Sequence, residues 1–284
     1  MKSRMIKLLL NTLIAAALLA PAAQAGNVSP WLPGAGSGDV SLAYATQSAD
    51  EFFAGSAEMP LPADLELDTL LIGFSYGINN RFALDIRAGY AESDFLTDPG
   101  LAPQGGLNGI TDSRIGVRWM LLDEFADAPV TLTLGGAILI EGNYDTGAIS
   151  AIGDGASGVE LALAIGRHFD SGFSLSGEFG ARHRGGDVPN ERFFGVTAAF
   201  AFTENFYGFV GYEDVNSDGD LDIGAMGFSP SRFPEVEEDY SLWNAGLNVA
   251  FNEAWSVSGT YGSKIDGRNT AKSDFWLIAL SRSF

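Results

Sequence analysis

From Val40 to Phe284 the chain repeats one pattern: segments of roughly ten residues, apolar at every second position. A period of two belongs to the β-strand, whose successive side chains point to opposite faces. "RFALDIRAGYA" (Arg81–Ala91) sets Phe82, Leu84, Ile86, Ala88 and Tyr90 on one face, with Ala83, Asp85, Arg87 and Gly89 on the other. "SRIGVRWML" (Ser113–Leu121) sets Ile115, Val117 and Trp119 against Arg114, Gly116 and Arg118. Twelve segments obey this rule, ending with "FWLIALSRSF" (Phe275–Phe284).

The connections alternate in length. Short turns recur near Asn79, Asp123, Asp170, Thr203 and Asn252, while longer segments cover residues 49–68, 92–112, 143–158, 185–191, 214–240 and 264–274. An even number of strands, with short turns at one end and long loops at the other, describes a transmembrane antiparallel up-and-down β-barrel. By that rule the turns are periplasmic and the loops extracellular. A soluble sandwich would also hide one face of each strand, but it requires neither uniform strand length nor such lopsided connections. The apolar face, with Trp119, Phe194, Phe200, Trp243, Phe251, Trp255 and Trp276, is therefore read as lipid-facing. The last strand ends on Phe284 with Leu280, Ile278 and Trp276 on the same face, resembling the signature read by the barrel-assembly machinery. Arg282 departs from it, and a long cationic side chain near the rim can snorkel to headgroups.

The first 25 residues read as a cleaved signal peptide: Lys2, Arg4 and Lys7, an apolar run from Leu8 to Ala20, then Ala23-Gln24-Ala25. The run is too short to span a bilayer. Export predicts an oxidising compartment, yet there is no cysteine to form a disulfide. Residues 26–38 then form a periplasmic lead-in and 39–284 the barrel. The lead-in is too short for the sizeable plug of the long-chain fatty-acid channels and is expected to be loose. The other arrangement would tuck Trp31 and Leu32 into the periplasmic mouth.

With the alternation fixed, the polar face lines the lumen. Asp85, Arg87, Arg114, Arg118, Glu141, Glu160, Glu178, Arg182 and Arg184 fall there, as internal ion pairs, as a charged constriction, or as both. Twelve strands enclose more than the filled interior of an eight-stranded barrel and less than a wide porin channel. A narrow passage for small molecules is expected, with a non-conducting structural or surface-interaction barrel as the alternative.

With 36 acidic residues against 16 lysines and arginines, the surface repels nucleic acid. Most of these acids fall in the long loops, where divalent cations could be shared with lipopolysaccharide. "DVNSDGDLDIG" (Asp214–Gly224) places Asp214, Asn216, Asp218, Asp220 and Asp222 at alternate positions around Gly219, as in a calcium loop. Its twelfth position is Ala225, where such loops carry a bidentate carboxylate, so at most a reduced calcium site is expected and no cofactor is required. An enzyme is not expected. The only histidines are His168, pointing inward, and His183, pointing outward, and no serine is convincingly placed beside either.

"PWLPGAGSGDVSLAYATQSADEFFAG", "RFALDIRAGYAESDF", "GITDSRIGVRWMLLDE" and "RHRGGDVPNERFFGV" resemble the outer-membrane barrel family named after the meta-pathway of phenol degradation. The resemblance implies a barrel passing small, often hydrophobic or aromatic, molecules. It carries no catalytic residues and names no substrate.

Overall fold

The computed structural model describes residues 28–95 and 107–284. The expected signal segment, residues 1–25, lies outside the described residues. Among the described residues thirteen strands form a single antiparallel sheet: β1 (Gly38–Ala54), β2 (Ala57–Asn79), β3 (Phe82–Asp94), β4 (Leu107–Ile110), β5 (Ser113–Leu122), β6 (Thr131–Ile140), β7 (Gly158–His168), β8 (Phe173–Arg184), β9 (Glu191–Ala201), β10 (Phe206–Ser217), β11 (Asp239–Ala250), β12 (Trp255–Arg268) and β13 (Ala271–Ser283). Because β4 and β5 lie in line against β3, interrupted at Thr111–Asp112, they count as one stave of a twelve-stave wall. The first and last strands pair from Asp39↔Ser283 to Phe52↔Ala271, which closes the barrel and leaves no edge to satisfy in lipid.

Alternation sorts the side chains as the sequence implies. Leu70, Ile72, Phe179, Trp276 and Ile278 are exposed on the outer wall, while Ala43, Ala45, Leu71, Leu277 and Ala279 are buried inside it. Aromatic rings mark both rims, as in other membrane barrels. Phe82 stacks on Trp119, and Phe202 packs between Phe200 and Phe206, toward the short turns; Tyr261 links Trp243 to Trp276 nearer the loops. Arg282 lies over the Trp255 ring at 5.5 Å, so the irregular residue of the last strand packs as a cation on an aromatic face. Phe284 stacks with Phe74 and Tyr76, and its main chain exchanges both hydrogen bonds with Gly38 across the seam.

Two connections expected to be long loops are strand instead. The β1 and β2 strands run 17 and 23 residues to a tight turn at Gly55–Ser56, and β12 and β13 meet at Asn269–Thr270. Gly55 sits at φ 56°, the first central position where a two-residue hairpin turn demands a left-handed residue. Acids and prolines between Asp50 and Asp68 disguised the strand: the apolar members Leu61, Ala63 and Leu65 keep the period, and they pack with Ala49, Phe52 and Ala271. The β10 strand also runs on to Ser217, through the first residues of the acidic loop.

Candidate functional site

The lumen is organised in three levels, starting at the short-turn end with residues 28–33. They are not a loose lead-in: all six are buried inside the barrel. Arg118 on β5 holds them. Its Nε and Nη2 grip both carboxylate oxygens of Asp85 at 2.6 and 2.8 Å, Nη2 also donates to Ser75 Oγ, and Nη1 donates to the carbonyls of Trp31 (2.8 Å) and Ser29 (3.2 Å). The planar five-donor guanidinium is the side chain suited to such a fork. Thr133 Oγ1 donates to Pro30 O, the Val28 N–H donates to Glu178, and Trp31 Nε1–H donates to Glu124. Glycines clear the space. A Cβ on Gly166 would lie 2.6 Å from Pro30 Cγ and 2.7 Å from the Trp31 ring, and one on Gly135 would lie 2.7 Å from Val28.

Glu124, in a short 3-10 turn (Glu124–Ala126), ties this segment to the wall. It also accepts from the His168 main chain at 2.8 Å and faces His168 Nδ1 at 3.0 Å, while the His168 ring packs on Trp31 with centroids 4.3 Å apart. Burial pushes the Glu124 carboxyl up, but the bonds from His168 and Trp31 outweigh it and hold the group below its usual value.

The second level is a charged layer. Glu160 on β7 is 4% exposed and takes Arg114 on one oxygen at 2.8 Å and Arg182 on the other at 3.1 Å; Arg182 passes on to Glu191. Two acids on one chain of guanidinia offset much of the desolvation cost of each. Arg87 projects into the same layer and its Nη1 has no partner among the described residues. Glu213, buried opposite, accepts from Tyr240.

The third level is a vestibule beneath the long loops. Arg184 bonds Asp112, Asp154 and the Ala156 carbonyl; Tyr144 Oη–H donates to the same Asp112. Burial and that acidic acceptor push the Tyr144 phenol well above its usual value. Lys264 donates to Thr270 and lies 4.5 Å over the Tyr240 ring. A lid of residues 218–238 covers the top. Asn269 pins it: its Oδ1 accepts from Gly55 and Ile223 N–H, and its Nδ2 donates to Asp222 and the Glu237 carbonyl.

Eight of the nine lumen candidates thus face the interior, distributed over these levels rather than in one ring. Glu141 does not. The β6 strand ends at Ile140, where Gly142 N–H turns to Asp112 and Asn143 pairs with Ile110, so Glu141 is carried out to the exposed loop. Ser75, Glu191, Glu213, Tyr240 and Lys264 belong to the lumen and were not anticipated.

The five acidic-loop candidates do not converge. Asp214 and Asn216 stand on the outer face of β10, Asp214 accepting from Ser241 and Asn216. Asp218 accepts from Asn190, and Asp222 is gripped by Arg268 at 2.8 Å on each oxygen, a pair that holds its carboxyl below the usual value. Asp220 is exposed. Among the described residues no group of three or more acids or histidines stands together as a metal site. His183 lies on the outer wall against Asn190.

Residues 75–276, well over half the chain, match the protein family described as "Putative MetA-pathway of phenol degradation". The chain belongs to this family. The matched region of this phenol-degradation family member starts on β2 and ends on β13, leaving residues 28–33 and β1 outside it. No curated protein matches. Among solved structures, an outer-membrane channel from Pseudomonas putida F1 superimposes with a TM-score of 0.71 at 12% identity, covering 88% of this chain and 96% of that one. The translocator domain of the autotransporter NalP from Neisseria meningitidis gives 0.51 at 12%, covering 88% of each chain. At such identities the likeness is one of fold, a closed antiparallel barrel.

Proposed function

We propose that this barrel is a narrow outer-membrane channel for passive passage of small molecules with hydrophobic or aromatic bodies, closed at rest by residues 28–33. The observation that carries this reading is the separateness of the closure. The periplasmic-side segment is seated in a cleared groove by hydrogen bonds from the wall, and it is itself part of no strand. A wall that served only as a scaffold would fill its interior with its own side chains, as small barrels do. Leaving glycines opposite a strap of six residues makes space that opens when the strap leaves. Past it, a solute meets the Arg114–Glu160–Arg182 layer and the vestibule beneath the lid.

The ion pairs crossing the lumen favour a second reading, a non-conducting barrel that presents its acidic loops to lipopolysaccharide. Planar-bilayer recording separates the two. A channel gives stepwise conductance, with a preference for cations set by the acidic outer rim. Silence across salts and voltages, from protein whose heat-dependent gel mobility marks it as folded, sinks the channel reading. Assembly through the C-terminal strand is part of the same proposal.

A further inference from the structure

The basic side chains of the lumen are bonded, with one exception. Arg114 bonds Glu160, Arg118 bonds Asp85, Arg182 bonds Glu160 and Glu191, Arg184 bonds Asp112 and Asp154, and Lys264 donates to Thr270. Among the described residues Arg87 makes no hydrogen bond and no ion pair. Its Nη1 is enclosed without a partner, while the unbonded Nε and Nη2 keep access to the lumen. Its neighbour in register on β2 is Gly73, which adds no side chain. On β5 the neighbour is Arg114, whose Nε and Nη2 are both committed to Glu160.

Glu213 mirrors Arg87. The β3 and β10 strands are third and ninth of the twelve staves, so the two side chains enter from opposite walls. Glu213 is 9% exposed and accepts from Tyr240 on Oε1 at 3.3 Å; its Oε2 is neither bonded nor enclosed among the described residues. The guanidinium and the carboxylate stand within Coulombic reach of each other, yet they form no ion pair. The other charges within reach of Glu213 are engaged: Arg182 as above, and Glu178 with the Val28 N–H.

Two opposite charges that face each other and do not meet leave a gap with a defined chemistry. Folded proteins rarely bury a charge without a partner. The Nε–Nη2 edge of a guanidinium presents two parallel donors, which match the two oxygens of a carboxylate. The Glu213 oxygen can only accept, so it calls for an N–H donor such as an ammonium. An anion on Arg87 alone would face Glu213, and a cation on Glu213 alone would face Arg87. A molecule that carries both charges satisfies both walls.

We propose that Arg87 and Glu213 form a subsite in the charged layer for a small zwitterion, a molecule with carboxylate and ammonium on one carbon. The carboxylate lies on Arg87 and the ammonium on Glu213 Oε2. This goes beyond the channel reading, because binding does not require passage.

The test uses the full chain refolded in micelles with isotope-labelled alanine present, so that the probe enters before the strap seats, and reads carbon NMR of the label. Labelled propionate, which lacks the ammonium, and labelled ethylamine, which lacks the carboxylate, are the comparisons. Alanine should give a saturable bound signal. Each comparison should bind at least about tenfold more weakly, the effect of losing one charge-assisted partner. Arg87→Met keeps the stem and should bring alanine down to the level of ethylamine. Glu213→Gln keeps an acceptor for Tyr240 and should bring alanine down to the level of propionate. A purely structural role would weaken all three probes alike in both variants. No saturable alanine binding to the native chain would mean that water alone fills the gap, and would overturn the proposal. So would either comparison binding as well as alanine, or an unchanged order of the probes in either variant whose gel mobility shows it folded.

Discussion

Arg118 is the residue through which the closure can be weighed. Two of its five hydrogen bonds seat the strap, to the carbonyls of Trp31 and Ser29, and the other three serve Asp85 and Ser75. Hydrogen bonds from a charged donor contribute about 1.5–3 kcal/mol each. One of these two is long, so together they hold the strap by about 3 kcal/mol. Replacing Arg118 alone would strand a buried carboxylate, at a cost of about 3–5 kcal/mol to the whole barrel. The informative variant is therefore Arg118→Met with Asp85→Leu, which removes the charge pair and the strap bonds while keeping volume. Burial of Val28, Trp31 and Leu32 still favours the seated form, so the strap is loosened rather than lost. At about 1.4 kcal/mol per factor of ten, the ratio of open to closed time should rise roughly a hundredfold in single-channel records. An unchanged ratio, in a variant that remains folded, would refute the assignment of Arg118 as the strap's anchor.

Further outcomes follow from the same contacts. Gly166→Val puts methyl groups where Pro30 and Trp31 sit, on a strand that favours a β-branched residue, so it should raise open time with the barrel's thermal stability nearly unchanged. The Glu124 carboxyl titrates below its ordinary value of 4.5, so its contribution is fully present above that pH and is lost as pH falls through the lowered folded value. Open time should therefore rise only below about pH 4.5, and Glu124→Gln, measured over the same range, should show a flatter profile. Asn269→Ala removes the lid's pin and places alanine at φ 52°, leaving the Gly55 and Ile223 N–H groups unpaired at roughly 1–3 kcal/mol each. External protease should then nick residues 218–238 faster, with the strands still protected.

The wall was legible because one repeat of two, read through Arg81–Ala91 or Ser113–Leu121, fixes both strand and face. Hence Asp85, Arg87, Arg114, Arg118, Glu160, Glu178, Arg182 and Arg184 were placed inward by parity alone. The errors lie at strand ends, where acids and prolines imitate loops. Ending the tenth strand before Asp214 made a calcium ligand of a residue that stands on the outer wall, and extending the sixth past Ile140 put Glu141 in the lumen. Strand limits drawn too short also hid Lys264 and Glu191, which keep lumen parity at the ends of β12 and β9. The strap was legible only as the alternative that tucks Trp31 and Leu32 into the mouth, for another reason. "VSPWLP" has no period, and its place is set by Arg118, far off in sequence, and by glycines at 135 and 166, which a sequence shows only as gaps in a pattern.

The most direct test compares the intact barrel with a chain lacking residues 28–33, each refolded with its strands complete and recorded in planar bilayers. The account predicts brief, rare steps from the intact protein and long-lived steps of larger conductance from the shortened one. Two folded barrels that are equally silent would contradict it.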